Sequence, residues 1–211
     1  MRKNLKDYIN TPLLFENGSI WYDGVPIMNG FEKPLIEFIA DSIVHRGGSV
    51  LNIGYGSGFF DKRVQEIGVR VHTIMECHPN IIANIDAPFA TIYVGPWQEH
   101  IETLIENGQK YDCVFFDTYD FDGNSMEYEW FKFMEYAESL LNPKGKVSMF
   151  TWLGKDYTKE FKEGLKNLKL YEEEYEINDY KYKHLYWEKS DEKEYGNEQN
   201  GYDVEKGLKE N

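Results

Sequence analysis

The sequence predicts a doubly wound α/β domain: a mostly parallel, twisted sheet with helices on both faces and a C-terminal antiparallel hairpin. Three observations predict it. An apolar, β-branched run (Val50, Leu51, Ile53) meets glycines at alternate positions, Gly54, Gly56 and Gly58, and exits as the helix start Asp61-Lys-Arg-Val-Gln-Glu66. A strand that dives into a glycine turn and leaves as a helix brings bare backbone close to a ligand. Strand-like and helix-like stretches then alternate along the chain. Finally, Tyr111-Asp-Cys-Val-Phe-Phe116 is a near-continuous apolar run, the pattern of a strand buried on both faces of a parallel sheet.

At 211 residues the chain suits one domain with a five- to seven-stranded sheet. Residues 1–30 form an N-terminal arm with turn signals at Asn17-Gly18, Asp23-Gly24 and Asn29-Gly30. Its apolar patches, Ile20–Tyr22 and Val25–Met28, are too short to fold alone and are expected to lie across the domain as a lid over a pocket. The domain proper is expected to span residues 31–188. Phe31–Val44 reads as a helix, with Leu35, Phe38, Ile39 and Ile43 at helical spacing and Pro34 in the first turn. Glu32 sits at its opening, where a carboxylate gains from the helix dipole whatever else it does.

The second unit is Val69–Glu76 followed by a helical Cys77–Asn84. Glu76 falls at the strand's carboxyl end, 18 residues after Gly58, where an acid accepts hydrogen bonds from a ribose diol. Ala90–Val94 is a third strand and Gln98–Glu106 a helix. Between them lies Trp97, placed either to cover an adenine face or to fill the core. The fourth strand ends abruptly in Asp117-Thr-Tyr-Asp120, so Asp117 is a carboxylate at the crevice where open α/β sheets bind ligands. Tyr128–Leu141 is an amphipathic helix and Lys146–Trp152 a fifth strand. Lys155–Leu168 reads as a further helix, and Leu170–Glu176 with Tyr180–Trp187 as the terminal hairpin. Residues 189–211 are polar and aromatic-poor, an acidic tail expected to fray.

The net charge is −14. From Lys189 onward seven acids face four lysines, so the tail carries −3 and the preceding chain −11. That argues against a nucleic-acid partner, which wants clustered Lys and Arg. It suits a cationic substrate, or simply solubility. No apolar run approaches the ~20 residues that span a bilayer, so no membrane partner is expected. The opening Met1-Arg-Lys-Asn-Leu-Lys-Asp7 has no apolar segment of the signal-peptide kind. Cys77 and Cys113 read as buried thiols of a reducing cytoplasm. His45, His72, His78, His100 and His184 supply neither a metal set nor a nucleophile pair, and no metal is expected. The chain is expected to act as a monomer or homodimer.

A glycine turn, Glu76, Gly95-Pro-Trp97 and Asp117 thus converge on one sheet edge, a set suited to an adenosine-bearing cofactor. The position three beyond Gly56 is Phe59, so the G-x-G-x-x-G fingerprint of a dinucleotide site fails. Glycines at x, x+2 and x+4 with an acid after the second strand fit S-adenosylmethionine (SAM) better.

The chain resembles the guanidinoacetate N-methyltransferase family and the related fungal-type protein-arginine delta-N-methyltransferases. The matching stretches are Pro26–Ile36, Val50–Gly58, Ile74–Asn80, Gly95–Glu99 and Phe116–Tyr119, collinear over roughly residues 13–152. The resemblance implies a Rossmann-like class I SAM-dependent methyltransferase acting on a guanidino nitrogen, in a small cationic guanidino compound or an arginine-containing peptide. It implies that Glu32 and Asp117 hold the guanidinium beside the methyl sulfonium. It assigns Tyr55, Gly56, Ser57, Gly58, Phe59, Phe60, Glu76, Cys77, His78, Gly95 and Pro96 to the cofactor, with Met28 and Ile36 bordering its methionine part. Thr118, Tyr119, Thr151, Trp152 and Leu153 fall where the rest of the acceptor lies. Three departures stand out: Phe31 replaces the family's tryptophan, Pro96 follows Gly95, and Asp120 stands where proline is common.

The chemistry fits independently. A guanidinium is planar with paired donors that suit carboxylates, and it is a poor nucleophile while charged. Two carboxylates orient one nitrogen and accept its proton as the new bond forms, Asp117 as acceptor and Glu32 as partner. Two rival readings are aminopropyl transfer to a polyamine, against which the G-G-G-D-G-G signature is absent, and a non-catalytic SAM-binding module.

Overall fold

In the computed structural model, which describes residues 4–118, 126–150, 167–177 and 180–191, the carboxyl ends of four parallel strands form a crevice. The central strand β4 (Ser49–Ile53) is buried along its whole length. It lies between β5 (Val71–Glu76) and β7 (Tyr111–Phe116), both parallel to it. Outside these run β6 (Thr91–Val94) beside β5 and β8 (Leu141–Met149) beside β7, again parallel. The hairpin β9 (Leu168–Ile177) and β10 (Tyr180–Lys189) completes the sheet antiparallel to β8, giving the order β6-β5-β4-β7-β8-β10-β9. Strand order reverses between β4 and β7, the switch point at which such sheets leave a ligand crevice.

Alternate residues of the inner strands serve opposite faces, as the period of two requires. Leu51, Ile53, Val114 and Phe116 join one core with Ile101 and Leu104 of α5 (Ile101–Glu106) and Trp130, Phe133 and Ala137 of α6 (Met126–Leu140). Val50, Cys113 and Phe115 join another with Leu35, Ile39 and Ile43 of α2 (Lys33–Ile43) and Phe60 and Val64 of α3 (Phe59–Ile67). Beneath the glycine turn lies a buried polar set. Asn52 Nδ2 donates to Asp61 at 2.7 Å, and His72 Nε2 lies 2.9 Å from the other oxygen of the same carboxylate.

Several elements differ from the sequence reading. The N-terminal arm is a structured unit: α1 (Leu5–Asn10), then a three-stranded antiparallel sheet of β1 (Leu14–Glu16), β2 (Ser19–Tyr22) and β3 (Val25–Met28). Asn17-Gly18 and Asp23-Gly24 all have positive φ, the type I′ pattern that turns a two-residue hairpin. The expected helix from Phe31 starts as a 3-10 turn over Gly30–Glu32 and becomes α-helical at Lys33. The expected helix from Gln98 likewise starts as a 3-10 turn over Trp97–Glu99 and becomes α-helical at Ile101. The helix after β5 shrinks to α4 (Pro79–Ile82). Strand β8 begins directly at Leu141, before the expected Lys146, because its pairing with β7 shifts register between Tyr111 and Cys113. The helix expected over Lys155–Leu168 falls largely outside the described residues, as do residues 192–211 of the tail. No helix among the described residues is long and apolar enough to cross a membrane.

Candidate active site

The carboxyl ends of β6, β5, β4 and β7 are tied together through the residues that follow β4, β6 and β7. Gly54 N–H donates to Met75 O and Asp117 N–H to Ile53 O, both at 2.9 Å, and Gly95 N–H donates to Glu76 O at 2.9 Å. These bonds set the glycine turn, the Gly95 loop and Asp117 along one rim. Gly54 has φ +92, and a Cβ there would collide with the carbonyl oxygen of Asp117. Only glycine lets the turn and the acid approach this closely.

Along the rim opens a cleft of about 930 Å³, its open mouth included. Its lining includes Met28, Glu32, Gly54, Gly56, Glu76, Cys77, Gly95, Pro96, Trp97, Asp117 and Thr118. Other sequence-predicted residues support the wall from behind. Phe60 stacks on Phe115 at 4.3 Å, Ile36 is core, and Tyr55 Oη accepts from Asp86 N–H at 2.9 Å. Gly58 lies over the Tyr55 ring, and Phe59 packs against the turn at Gly18. Ser57 N–H donates to Met28 Sδ at 2.8 Å and its hydroxyl to Gly18 O at 2.7 Å. Tyr119, Thr151, Trp152 and Leu153 lie outside the described residues.

His78 is fully buried and faces the arm. Its Nε2 donates to Tyr8 O and Thr11 O at 3.0 and 3.1 Å, while Nδ1 accepts from Asn80 N–H at 3.1 Å. Two carbonyls on one side and an N–H on the other fix the neutral tautomer. Burial pushes its pKa down in the same sense.

Glu32 keeps both of its sequence readings. Its carboxylate accepts from Asn29 N–H at 3.1 Å and Asn29 Nδ2 at 2.9 Å, closing the helix start. It is also buried, lines the cleft, and has its pKa raised by burial despite those bonds. Asp117 differs. It is half-buried at the cleft wall, and its carboxylate accepts no hydrogen bond from the described residues. Burial, and then the charge of Glu32, push its pKa up to about 7. Glu76 is buried, with Oε2 accepting from Tyr55 N–H and Oε1 from Cys77 N–H and His78 N–H at 2.8–2.9 Å. Desolvation still raises its pKa.

Trp97 is 6% exposed and sits edge-on to Phe116 and Phe133, with centroids at 5.9 and 5.6 Å. It is a core residue with one surface on the cleft. Ile20 and Ile27, from the two apolar patches expected as a lid, also line it, as do Tyr8, Gln98, Glu129 and Phe150, which the sequence reading missed. The available signals were the two hairpin turns for the arm and an Asn4–Asp7 cap for the helix carrying Tyr8. Glu129 had no local signal.

The residue set fits SAM. Glu76 ends β5 at the place of a ribose-binding acid, the cleft walls are largely apolar, and Gly54, Gly56 and Gly95 keep the backbone bare. A Cβ on Gly56 would strike Met28 Sδ, so a thioether already fills the approach a dinucleotide pyrophosphate needs. Among the described residues no group of three or more His, Cys, Asp or Glu is disposed to hold a metal.

The sequence profile of the guanidinoacetate N-methyltransferase family matches residues 17–181. The chain belongs to this family. It is 34% identical over 160 residues to protein arginine N-methyltransferase 2 of Candida glabrata, covering 71% of this chain and 37% of that protein. The protein of the same name from Aspergillus oryzae is 30% identical over 158 residues with the same coverage. The chain therefore spans little more than a third of the length of these curated relatives. A methyltransferase from Pyrococcus furiosus superposes with a TM-score of 0.59 at 15% identity, over 88% of this chain and 92% of that one. An O-methyltransferase from Bacillus cereus in complex with SAH superposes at 0.56 and 10% identity, over 74% and 81%. The fold of this family member is that of SAM-dependent methyltransferases.

Proposed function

We propose that this guanidinoacetate N-methyltransferase family member methylates a guanidino nitrogen, with Asp117 as proton acceptor and Glu32 as orienting partner. The observation that carries the reading is the Asp117 carboxylate, close enough to Glu32 for the two charges to interact and without a hydrogen-bond donor from the described residues. A half-buried carboxylate that faces a cleft beside a second acid, with no donor of its own among the described residues, calls for an explanation. A guanidinium supplies it by bringing both the missing donors and the opposite charge.

When bound, SAM supplies a methyl carbon made electrophilic by its positive sulfur. Met28, Gly54, Gly56, Glu76, Cys77, Gly95, Pro96 and Trp97 are the residues that hold it, with Glu76 on the ribose. Glu32, fixed by Asn29, grips one edge of the guanidinium plane and sets its tilt. Asp117 takes the other edge. The N–C bond would form as the C–S bond breaks and SAH leaves as a neutral thioether, and the methylated nitrogen would give its proton to Asp117, whose raised pKa suits it to receive one near neutrality. The N-terminal arm, through Tyr8, Ile20, Ile27 and Met28, closes the cleft as a lid and excludes water. The printed names of the relatives, protein arginine N-methyltransferases, support a guanidino group as the acceptor. Two free thiols, Cys77 and the buried Cys113, support a cytoplasmic setting.

Incubation with methyl-labelled SAM and a panel of guanidines, read by mass spectrometry, tests the reading. Asp117→Asn is expected to abolish the mass gain of one methyl while SAH binding, measured by calorimetry, survives. Full turnover by that variant refutes the assigned base, and no methylation across the panel refutes the reading itself.

A further inference from the structure

Beyond Glu32, Glu76 and Asp117, a fourth acid reaches the same cleft from a helix. Glu129 lies in the first turn of α6, is 8% exposed, and lines the cleft beside Gln98 and Thr118. Gln98 Nε2 donates to its Oε2 at 2.9 Å and Lys132 Nζ to its Oε1 at 3.2 Å. Each carboxylate oxygen offers about two acceptor directions, so each retains one after these bonds. Gln98 pins the rotamer from the Gly95-Pro96-Trp97 loop, which keeps the carboxylate at the cleft wall instead of on the outer surface of the helix.

The charge balance of the lining is one-sided. Glu32, Glu76, Asp117 and Glu129 line the cleft, and no lysine, arginine or histidine among the described residues does. SAM brings one net positive charge and a guanidinium a second. An acceptor with a carboxylate near its guanidine would set that anion among acids with no lining base to meet it, which costs desolvation without return.

We propose that Glu129 reads a second positive charge on the acceptor. Resting on the function proposed above, this makes the substrate a small ω-aminoalkylguanidine: a guanidinium and a primary ammonium on one alkyl chain, with no carboxylate. The guanidinium sits between Glu32 and Asp117, and the ammonium docks on the free acceptor directions of Glu129. Glu129 is then a specificity-determining residue outside the bond-making step.

Steady-state kinetics with 4-aminobutylguanidine and its monocationic isostere n-butylguanidine test this. The wild-type chain is expected to show a KM about tenfold lower for the dication, the value of a partly buried charged contact. Glu129→Gln is expected to remove that tenfold preference while the ratio of the two kcat values stays put. Lys132→Met, which deletes the other ionic partner of Glu129, is expected to keep the preference. The proposal is overturned if Glu129→Gln raises both KM values equally, if Lys132→Met reproduces its effect, or if guanidinoacetate is the better substrate of the wild type. It is also overturned if Glu129→Gln weakens SAH binding about tenfold, which would place Glu129 at the adenine. If the wild type methylates neither guanidine, the parent reading fails, and the Kd ratio of the two compounds by calorimetry still decides the role of Glu129.

Discussion

Replacing Asp117 by Asn should inactivate the protein and stabilise it, and the stabilisation should depend on pH in a defined way. In the ligand-free fold the Asp117 pKa rises from an ordinary 3.8 to about 7, through burial first and the charge of Glu32 second. Between about pH 4 and 7 the folded chain keeps a proton that the unfolded chain has released. Stability therefore falls as pH rises through that window, and the loss is complete above it. A rise from 3.8 to about 7 corresponds to at most ~4 kcal/mol at 1.36 kcal/mol per pH unit. Water entering the cleft reduces this to ~1–2 kcal/mol. For a chain of this size ~1 kcal/mol moves Tm by ~2–4 °C. Thermal melts of wild type and Asp117→Asn from pH 4 to 8.5 should coincide at the acid end and separate by ~2–8 °C at pH 8, the variant higher. Glu76 and Asp61 also have raised pKa values but are present in both proteins, so the difference reads Asp117 together with its repulsion of Glu32, which acts in the same sense. A variant less stable than wild type at pH 8, or a gap independent of pH, refutes the reasoning.

The same pKa predicts that kcat/KM for a guanidine climbs with pH up to about 7 and then levels, since only the ionised carboxylate grips the cation and accepts its proton; a flat profile from pH 5.5 to 8 would contradict this. Glu76→Ala should weaken SAH binding ~10–100-fold by calorimetry and lower Tm together, because the acid also satisfies three backbone N–H groups of the surrounding turns. Gly54→Ala, forced to hold φ +92 and driven into the Asp117 carbonyl, should cost ~1–3 kcal/mol of stability and most of kcat. Asp61→Ala strands the buried donors of Asn52 and His72 and should cost ~2–4 kcal/mol, read as a fall in the chemical midpoint at unchanged slope.

The parallel sheet was legible because β4 and β7 are buried on both faces and so carry little but apolar residues, and because the glycines mark the corner between β4 and α3. Asp117 was legible for the same reason: a charge ending an apolar run lies at the strand's rim. The N-terminal sheet was not anticipated, although its Asn-Gly and Asp-Gly turns are plain in the sequence. Its strands of three and four residues bury little by themselves and gain their support by docking on the domain, through Met28 and Gly18 at the glycine turn and through the carbonyls of Tyr8 and Thr11 at His78. His78 was assigned to the cofactor by resemblance, yet its ring is directed at two carbonyls of the arm, a long-range pairing that no local pattern encodes. Glu129 was invisible for the opposite reason. A glutamate one turn from a lysine on an amphipathic helix reads as a solvated ion pair, and only the packing of α6 against the Gly95 loop turns it inward.

The contact between Gly54 and the peptide of Asp117 has a bearing on how such a protein diversifies. On the function proposed above, methyl donor and acceptor would be held by segments that lean on each other through main-chain atoms, so their mutual alignment would depend little on the neighbouring side chains. Acceptor preference would then be free to change through α6 and the loops around the mouth, one substitution at a time, without disturbing the line of attack.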